Sequence, residues 1–190
     1  MGEITFHALR LGTVPGRVMT PRPASERLVD AAVDHLGCRE ARVADVGTGS
    51  GAIAIAVAAS LPGVRVWATD IDPAAVALAR ANVRRHELES RVVVRQGDLL
   101  HPIPGDFDLI AANLPYLAAT AADAHPELAV EPRSAVFVDG DGLDPYRRLV
   151  AAARTRLRPD GLLVIQLHRQ VLAASRDELD RLAASVADAA

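Results

Sequence analysis

Lysine is absent: all 21 basic residues among the 190 are arginine. Chemistry that runs through a lysine amine, Schiff-base formation above all, is closed to this chain. Cysteine occurs once, at Cys38, which excludes a disulfide framework and a cysteine-based zinc site and leaves a small side chain expected to be buried. Aromatic residues make up 3%, so the core must be built from Ala, Val, Leu and Ile. No apolar run approaches the roughly 18 residues of a membrane span, and the start MGEITFHALRLG lacks the basic-then-apolar order of a signal peptide. A cytoplasmic chain with no membrane partner is the expectation. Twenty-four acidic residues outnumber the basic ones, for a net charge of −3, whereas proteins that bind phosphate backbone carry a basic excess. Nucleic acid is therefore disfavoured as a partner. His7, His35, His86, His101, His125 and His168 show no metal-ligand spacing, and no metal is expected.

What is present is alternation. Short Val/Ile/Leu-rich runs at 42–46, 64–69, 91–96, 107–113 and 161–167 read as strands, and segments of helical period at 24–36, 51–61, 73–86, 144–157 and 175–189 as helices. This is the pattern of an α/β fold, a mainly parallel, doubly wound Rossmann-like sheet with helices on both faces. Asp72-Pro73 caps and starts one helix, and Asp160-Gly161 marks the turn into the last strand. The alternating stretch 4–20 contains Val14-Pro15-Gly16 and predicts a hairpin. Residues 1–20 thus form a hairpin or extension, and 21–190 a single domain.

Chemistry gathers at strand ends. Asp45-Val46-Gly47-Thr48-Gly49-Ser50-Gly51 follows a strand and opens a helix, so its small residues admit a ligand's approach and the helix N-terminus offers N–H groups. Taken alone this turn suits a dinucleotide as well as any other nucleoside cofactor. Asp70 ends the next strand, where a carboxylate can take both hydroxyls of a ribose and Ile71 can pack on adenine. Asp98, followed by Leu99, is placed to accept from the adenine amino group. Asn113-Leu114-Pro115-Tyr116 follows the fourth strand, next to the first across the switch point of such a sheet. A planar nitrogen becomes nucleophilic when acceptors hold its hydrogens. The Asn113 side-chain oxygen and the Leu114 carbonyl suit that task, with Pro115 keeping residue 114 extended and Tyr116 stacking on the flat acceptor group.

With these residues in place the sequence resembles a known family, the S-adenosylmethionine-dependent protein N5-glutamine methyltransferases that modify peptide release factors, the HemK/PrmC group. The likeness runs from about Met19 to Gln170. It rests on Thr20-Pro21-Arg22-Pro23, VADVGTGSGAIAIAVA (43–58), ATDIDPAAVALARANV (68–83), ANLPYL (112–117) and EPRSAVFVDGDGLDPYRRLV (131–150). The resemblance implies a class I methyltransferase fold with S-adenosylmethionine as cofactor. Gly47, Gly49 and Gly51 then surround its methionine part, Asp70 holds its ribose, Arg22 lies near its carboxylate, and Asn113 through Tyr116 hold the glutamine amide of a protein substrate such as a release factor.

Three departures from the family accompany this. Asn-Leu-Pro-Tyr replaces Asn-Pro-Pro-Tyr and is shared with ribosomal RNA adenine dimethyltransferases. Only about 20 residues precede Pro-Arg-Pro, so the family's N-terminal helical domain is expected to be absent. One helix follows the fifth strand, so the closing antiparallel strand pair is expected to be missing and the strand at 161–167 to be a bare edge covered by a second copy in a homodimer. Gln166 and His168 stand where the family usually has Glu and Gly. Two other readings stay open: a nucleic-acid adenine N6-methyltransferase, and a cofactor-binding or interaction protein that has lost catalysis.

Overall fold

The computed structural model describes residues 2–167 and 170–187, so His168 lies outside the described residues. β1 (Gly2–Phe6) and β2 (Leu9–Thr13) form an antiparallel hairpin. Its turn is not Val-Pro-Gly but His7-Ala8, both at positive φ, 46° and 62°, as a two-residue hairpin loop requires. Val14-Pro15-Gly16 instead turns the chain out of the hairpin, with the Arg17 and Val18 amides donating to the Val14 carbonyl. Pro-Gly is the stronger local turn signal, whereas a His-Ala turn shows only once the strands are paired.

α1 (Glu26–Leu36), β3 (Ala41–Val46), α2 (Ala52–Ser60), β4 (Val64–Asp70), α3 (Pro73–Arg85), β5 (Val92–Gln96) and β6 (Phe107–Ala112) follow. Two-residue strands β7 (Leu117–Ala118) and β8 (Phe137–Val138) pair in parallel around a run of 3-10 turns that the sequence did not reveal. α4 (Asp144–Arg156), β9 (Leu157–Leu167), β10 (Gln170–Ser175) and α5 (Leu179–Ala187) complete the order.

Six strands form one sheet in the order β10-β9-β6-β3-β4-β5, parallel throughout except for β10. The order reverses between β3 and β6, whose last residues, Val46 and Ala112, are paired. Loops leaving those two ends must diverge and leave a crevice. The two-residue period of β3 turns Val43 to the layer of α1, α2 and α3, and Ala44 and Val46 to the layer of α4 and α5. α2 is apolar all round, with Ala52 through Ala58 buried, the composition of a helix enclosed on all sides. α4 is one-faced: Tyr146, Leu149, Val150 and Ala153 recur at helical spacing and are its buried residues.

Three expectations need correction. The strand at 161–167 is no bare edge, because β10 pairs with it antiparallel from Gln170–Leu167 to Ser175–Leu162. One closing strand is present, the polar ends of its short apolar run having hidden it, and it occupies the edge that a second copy was expected to cover. Asp160-Gly161 is not a turn before the strand: β9 starts at Leu157, and 158–161 bulge within it as the partner shifts from Phe107 to Leu109. Cys38 is exposed, since α1 ends at Gly37, φ 56°, and the chain turns away from the core there. Among the described residues no helix is long and apolar enough to cross a membrane.

The hairpin is held by Phe6 and Leu11 in the core, by the His7 amide on Glu26, by Arg85 on Glu3, and by one buried side chain of α3. Asn82 of α3, 2% exposed, accepts from the Gly12 amide at 2.8 Å and donates to the carbonyls of Gly12 at 3.0 Å and Ser50 at 2.9 Å. Asn82→Ala leaves three backbone groups without partners and is expected to cost about 2–3 kcal/mol in urea unfolding. A loss below about 0.5 kcal/mol would mean that the hairpin is held by its other contacts.

Candidate active site

A cavity of about 280 Å³ opens at the switch point, walled by the ends of β3, β4 and β6 and by the strap 17–19 that leaves the hairpin. Gly47, Gly49, Asp70, Ile71, Asp98, Leu99, Asn113, Leu114 and Pro115 line it. A slot of about 40 Å³ adjoins it, formed by Met19, Arg22, Asn113 through Leu117, Leu128 and Gln166 among others. A second, of about 60 Å³, lies between Arg22, Ser25, Asn113 and the glycine loop, Thr48 included. Tyr116 therefore stands on the first slot, and Arg22 on both slots but not on the main cavity.

Asp45 and Gly51 do not join them. The strand period turns Asp45 under α2, where it is fully buried: Oδ2 accepts from Thr48 Oγ1 at 2.5 Å and from the Ala54 amide at 3.1 Å. Its Oδ1 is buried with no partner among the described residues, and burial pushes the carboxyl up to about 6. Asp45 shapes the loop from behind rather than touching what the loop holds. Gly51, at φ 84°, caps α2, and a Cβ there would lie 3.3 Å from Ala79. Its smallness serves the approach of α2 to α3.

Nor are the loop's amides free. Gly47 and Thr48 both donate to the Thr69 carbonyl, and Gly51 to that of Thr48, each at 2.9 Å. Gly49 donates to Asp70 Oδ2 at 2.9 Å. With four amides engaged, the loop has few left for a pyrophosphate, which weighs against the dinucleotide alternative. A side chain at Gly49 would meet nothing within 4 Å, so its Cα faces open cavity.

The Asp70 carboxylate also accepts from the Asp72 amide at 2.9 Å. Burial holds it above the usual carboxylate range, and the Asp72 and Gly49 N–H groups pull it partly back. Ile71 stands 70% exposed at the cavity edge. Asp98 is paired with Arg148 of α4, which lines the cavity beside it.

Asn113 Nδ2 donates to Ser25 Oγ at 2.9 Å, and its Oδ1 has no protein partner among the described residues. Leu114 is tied to Tyr146 twice: its amide donates to the Tyr146 hydroxyl at 2.9 Å, and its carbonyl lies 2.8 Å from that oxygen. The carbonyl is thus not a bare acceptor, although its second lone pair remains. The same hydroxyl lies 2.5 Å from the Gln166 carbonyl, and burial pushes the Tyr146 phenol far above its usual range. The run Asp141-Gly142-Leu143-Asp144-Pro145-Tyr146, part of the stretch that carries the family resemblance, gives its tyrosine this role only in the fold. Glu131, which opens the same stretch, also has no role readable from the sequence: its buried side chain accepts from the Thr20 amide at 3.1 Å, faces Arg22 at 3.9 Å and so fastens the strap. Arg17 clamps the strap's other end, donating to both Asp72 carboxylate oxygens at 2.6 and 3.0 Å. Ser25 and Tyr146 carry no local signal, because each acts across more than 30 residues.

A family model described as methyltransferase small domain matches residues 23–133. The release factor glutamine methyltransferase of Gloeobacter violaceus is 44% identical over 171 residues, covering 88% of this chain and 59% of that one. Its namesake from Moorella thermoacetica is 42% identical over 169 residues, covering 87% and 59%. The chain spans about three fifths of the length of these curated relatives. The 16S rRNA N2 G1207 methyltransferase of T. Thermophilus, solved with AdoMet and guanosine, matches at TM-score 0.63 and 21% identity over 86% of this chain and 40% of that one. Ribosomal protein L11 methylase from Lactobacillus delbrueckii subsp. bulgaricus matches at TM-score 0.53 and 24% identity, over 76% and 60%. These likenesses show the fold, the Rossmann-like one of class I methyltransferases.

Because Asp45 is held at about 6 in the folded chain against its usual 3.8, its proton favours folding. That contribution is complete below pH 4 and lost as pH rises through 6, about 3 kcal/mol in all. Urea unfolding of the wild type and Asp45→Asn from pH 3.5 to 7 should show the wild type losing that much relative to the variant; parallel curves would refute the shift. Tyr146→Phe removes a hydroxyl that three backbone groups share and is expected to cost about 2–3 kcal/mol, read as a lower urea midpoint at unchanged slope.

Proposed function

The chain belongs to the methyltransferase small domain family, and on that premise we propose that it is an S-adenosylmethionine-dependent enzyme that methylates the side-chain amide of a protein glutamine, as in a peptide release factor. The observation that carries this reading is the Asn113 carboxamide, turned with its NH2 toward Ser25 and its oxygen free at the junction of cavity and slot.

The cavity fits the cofactor. Gly49 is open where a Cβ would fill the space, the Asp70 carboxylate suits a ribose diol, and Ile71 and Leu99 offer apolar surface to a purine. Arg22 stands by the glycine loop, where it suits the methionine carboxylate. S-Adenosylmethionine supplies a methyl group on a sulfonium, an electrophile that needs no base before attack. Asn113 Oδ1 accepts one N–H of the acceptor amide, and the spare lone pair of the Leu114 carbonyl suits the other. Both favour a more pyramidal nitrogen whose lone pair is directed at the methyl carbon. The amide's proton leaves to solvent afterwards. Pro115 and the Tyr146 hydroxyl hold the backbone that presents these acceptors.

The slot weighs against adenine. At about 40 Å³ it suits a carboxamide better than a purine. The reading of a relative that has lost catalysis leaned on the missing closing strands and on Gln166, and β10 supplies one of those strands. The names of the relatives in Gloeobacter and Moorella support a release factor as the protein substrate. The cytoplasm, where that substrate is met, is the proposed location.

Calorimetry with S-adenosylhomocysteine, set against NAD, tests the cofactor; micromolar binding of the first alone is expected. Asn113→Ala should keep that affinity within about threefold while methyl transfer to glutamine peptides falls by about 100-fold or more. An unchanged transfer rate would sink the role of Asn113.

A further inference from the structure

The hydroxyl of Ser25 lies between two carboxamides. Asn113 Nδ2 donates to it at 2.9 Å, and it donates to Gln166 Oε1 at 2.8 Å. Ser25 and Gln166 are 5% and 6% exposed, so water does not readily replace either partner. A hydroxyl has one proton, and the two bonds must therefore run the same way along the chain. With Oε1 of Gln166 toward Ser25, the serine proton points at Gln166, its lone pair takes the Asn113 NH2, and Asn113 Oδ1 is left for the slot. Were Gln166 turned to offer Nε2, the serine would accept from it and donate to Asn113 Oδ1. The Asn113 NH2 would then face the slot, where it would meet the NH2 of an acceptor amide with no bond possible.

Resting on the glutamine-amide reading above, we propose that Ser25 and Gln166 are positioning residues that set the polarity of Asn113, Gln166 as terminal acceptor and Ser25 as one-way relay. The three come from separate elements: the turn before α1, the end of β9 and the loop after β6. The Tyr146 hydroxyl meets the carbonyls of both Gln166 and Leu114, so the backbones at the two ends of the relay are fixed relative to each other. A carboxylate at 166 can only accept, and would enforce the same direction.

The test uses the full chain with S-adenosylmethionine and an N-acetylated peptide carrying one glutamine, with circular dichroism as the check on folding. Ser25→Ala and Gln166→Leu should lower kcat by 10- to 100-fold while KM for S-adenosylmethionine stays within twofold. Gln166→Glu should stay within threefold of the wild type at pH 8. Its rate relative to the wild type should then fall in acid, because a protonated carboxyl donates as well as accepts. In 15N-edited spectra with S-adenosylhomocysteine bound, the Asn113 side-chain NH2 pair should move in Ser25→Ala and Gln166→Leu and stay near its wild-type position in Gln166→Glu. If Gln166→Leu does not fold, Ser25→Ala decides. Unmoved Asn113 resonances in Ser25→Ala, or a Gln166→Glu as slow as Gln166→Leu, would overturn the relay. A wild type that transfers no methyl to the peptide would count against the glutamine reading alone, since the resonances still decide the relay.

Discussion

The loop after β6 and the end of β9 keep a fixed relation only if something behind them ties their backbones together, and the Tyr146 hydroxyl does so. It takes the Leu114 amide and lies within hydrogen-bond reach of the Leu114 and Gln166 carbonyls, joining the loop after β6 to the end of β9 from inside α4. Burial pushes the phenol well above its usual range, so at neutral pH the donor proton stays in place. The constraint passes forward: the glycine loop runs against Leu114, whose Cδ2 would lie 2.6 Å from a Cβ at Gly47, and the φ of 72° there favours glycine whatever the space.

A second layer sits under the first. Asp45 anchors Thr48 and the Ala54 amide from below, Asp70 takes the Gly49 amide from the side, and the strap closes over the front through Arg17 and Glu131. The glycine loop is thus a shape imposed by side chains from three other segments.

The strands and helices from α1 to α4 were legible because each repeats a local period, and the switch-point crevice because strand order and loop length leave little choice. Asp70, Asn113 and Leu114 were legible as residues on the crevice for the same reason: they stand directly at strand ends, and they line the cavity there. Asp45 and Gly51 look equivalent in a motif, and only the strand period and the approach of α2 to α3 separate supporting from lining positions. β10 was not legible, since the notable feature of 170–175 is only that it pairs. The run of 3-10 turns between β7 and β8 repeats too little to be read, and Ser25, Glu131 and Tyr146 act on residues far away in the chain. Their partners are a property of the assembled fold.

The glycine loop has its amides bound to its own sheet before any ligand arrives. What enters meets a mould already set, so the entropy of ordering that loop is lost on folding and not again on binding. Such a surface recognises outline and one carboxylate. A descendant of this chain that came to need a phosphate there would first have to undo hydrogen bonds that hold β4 to its neighbour's turn, and so would trade the stability of its sheet for the new ligand.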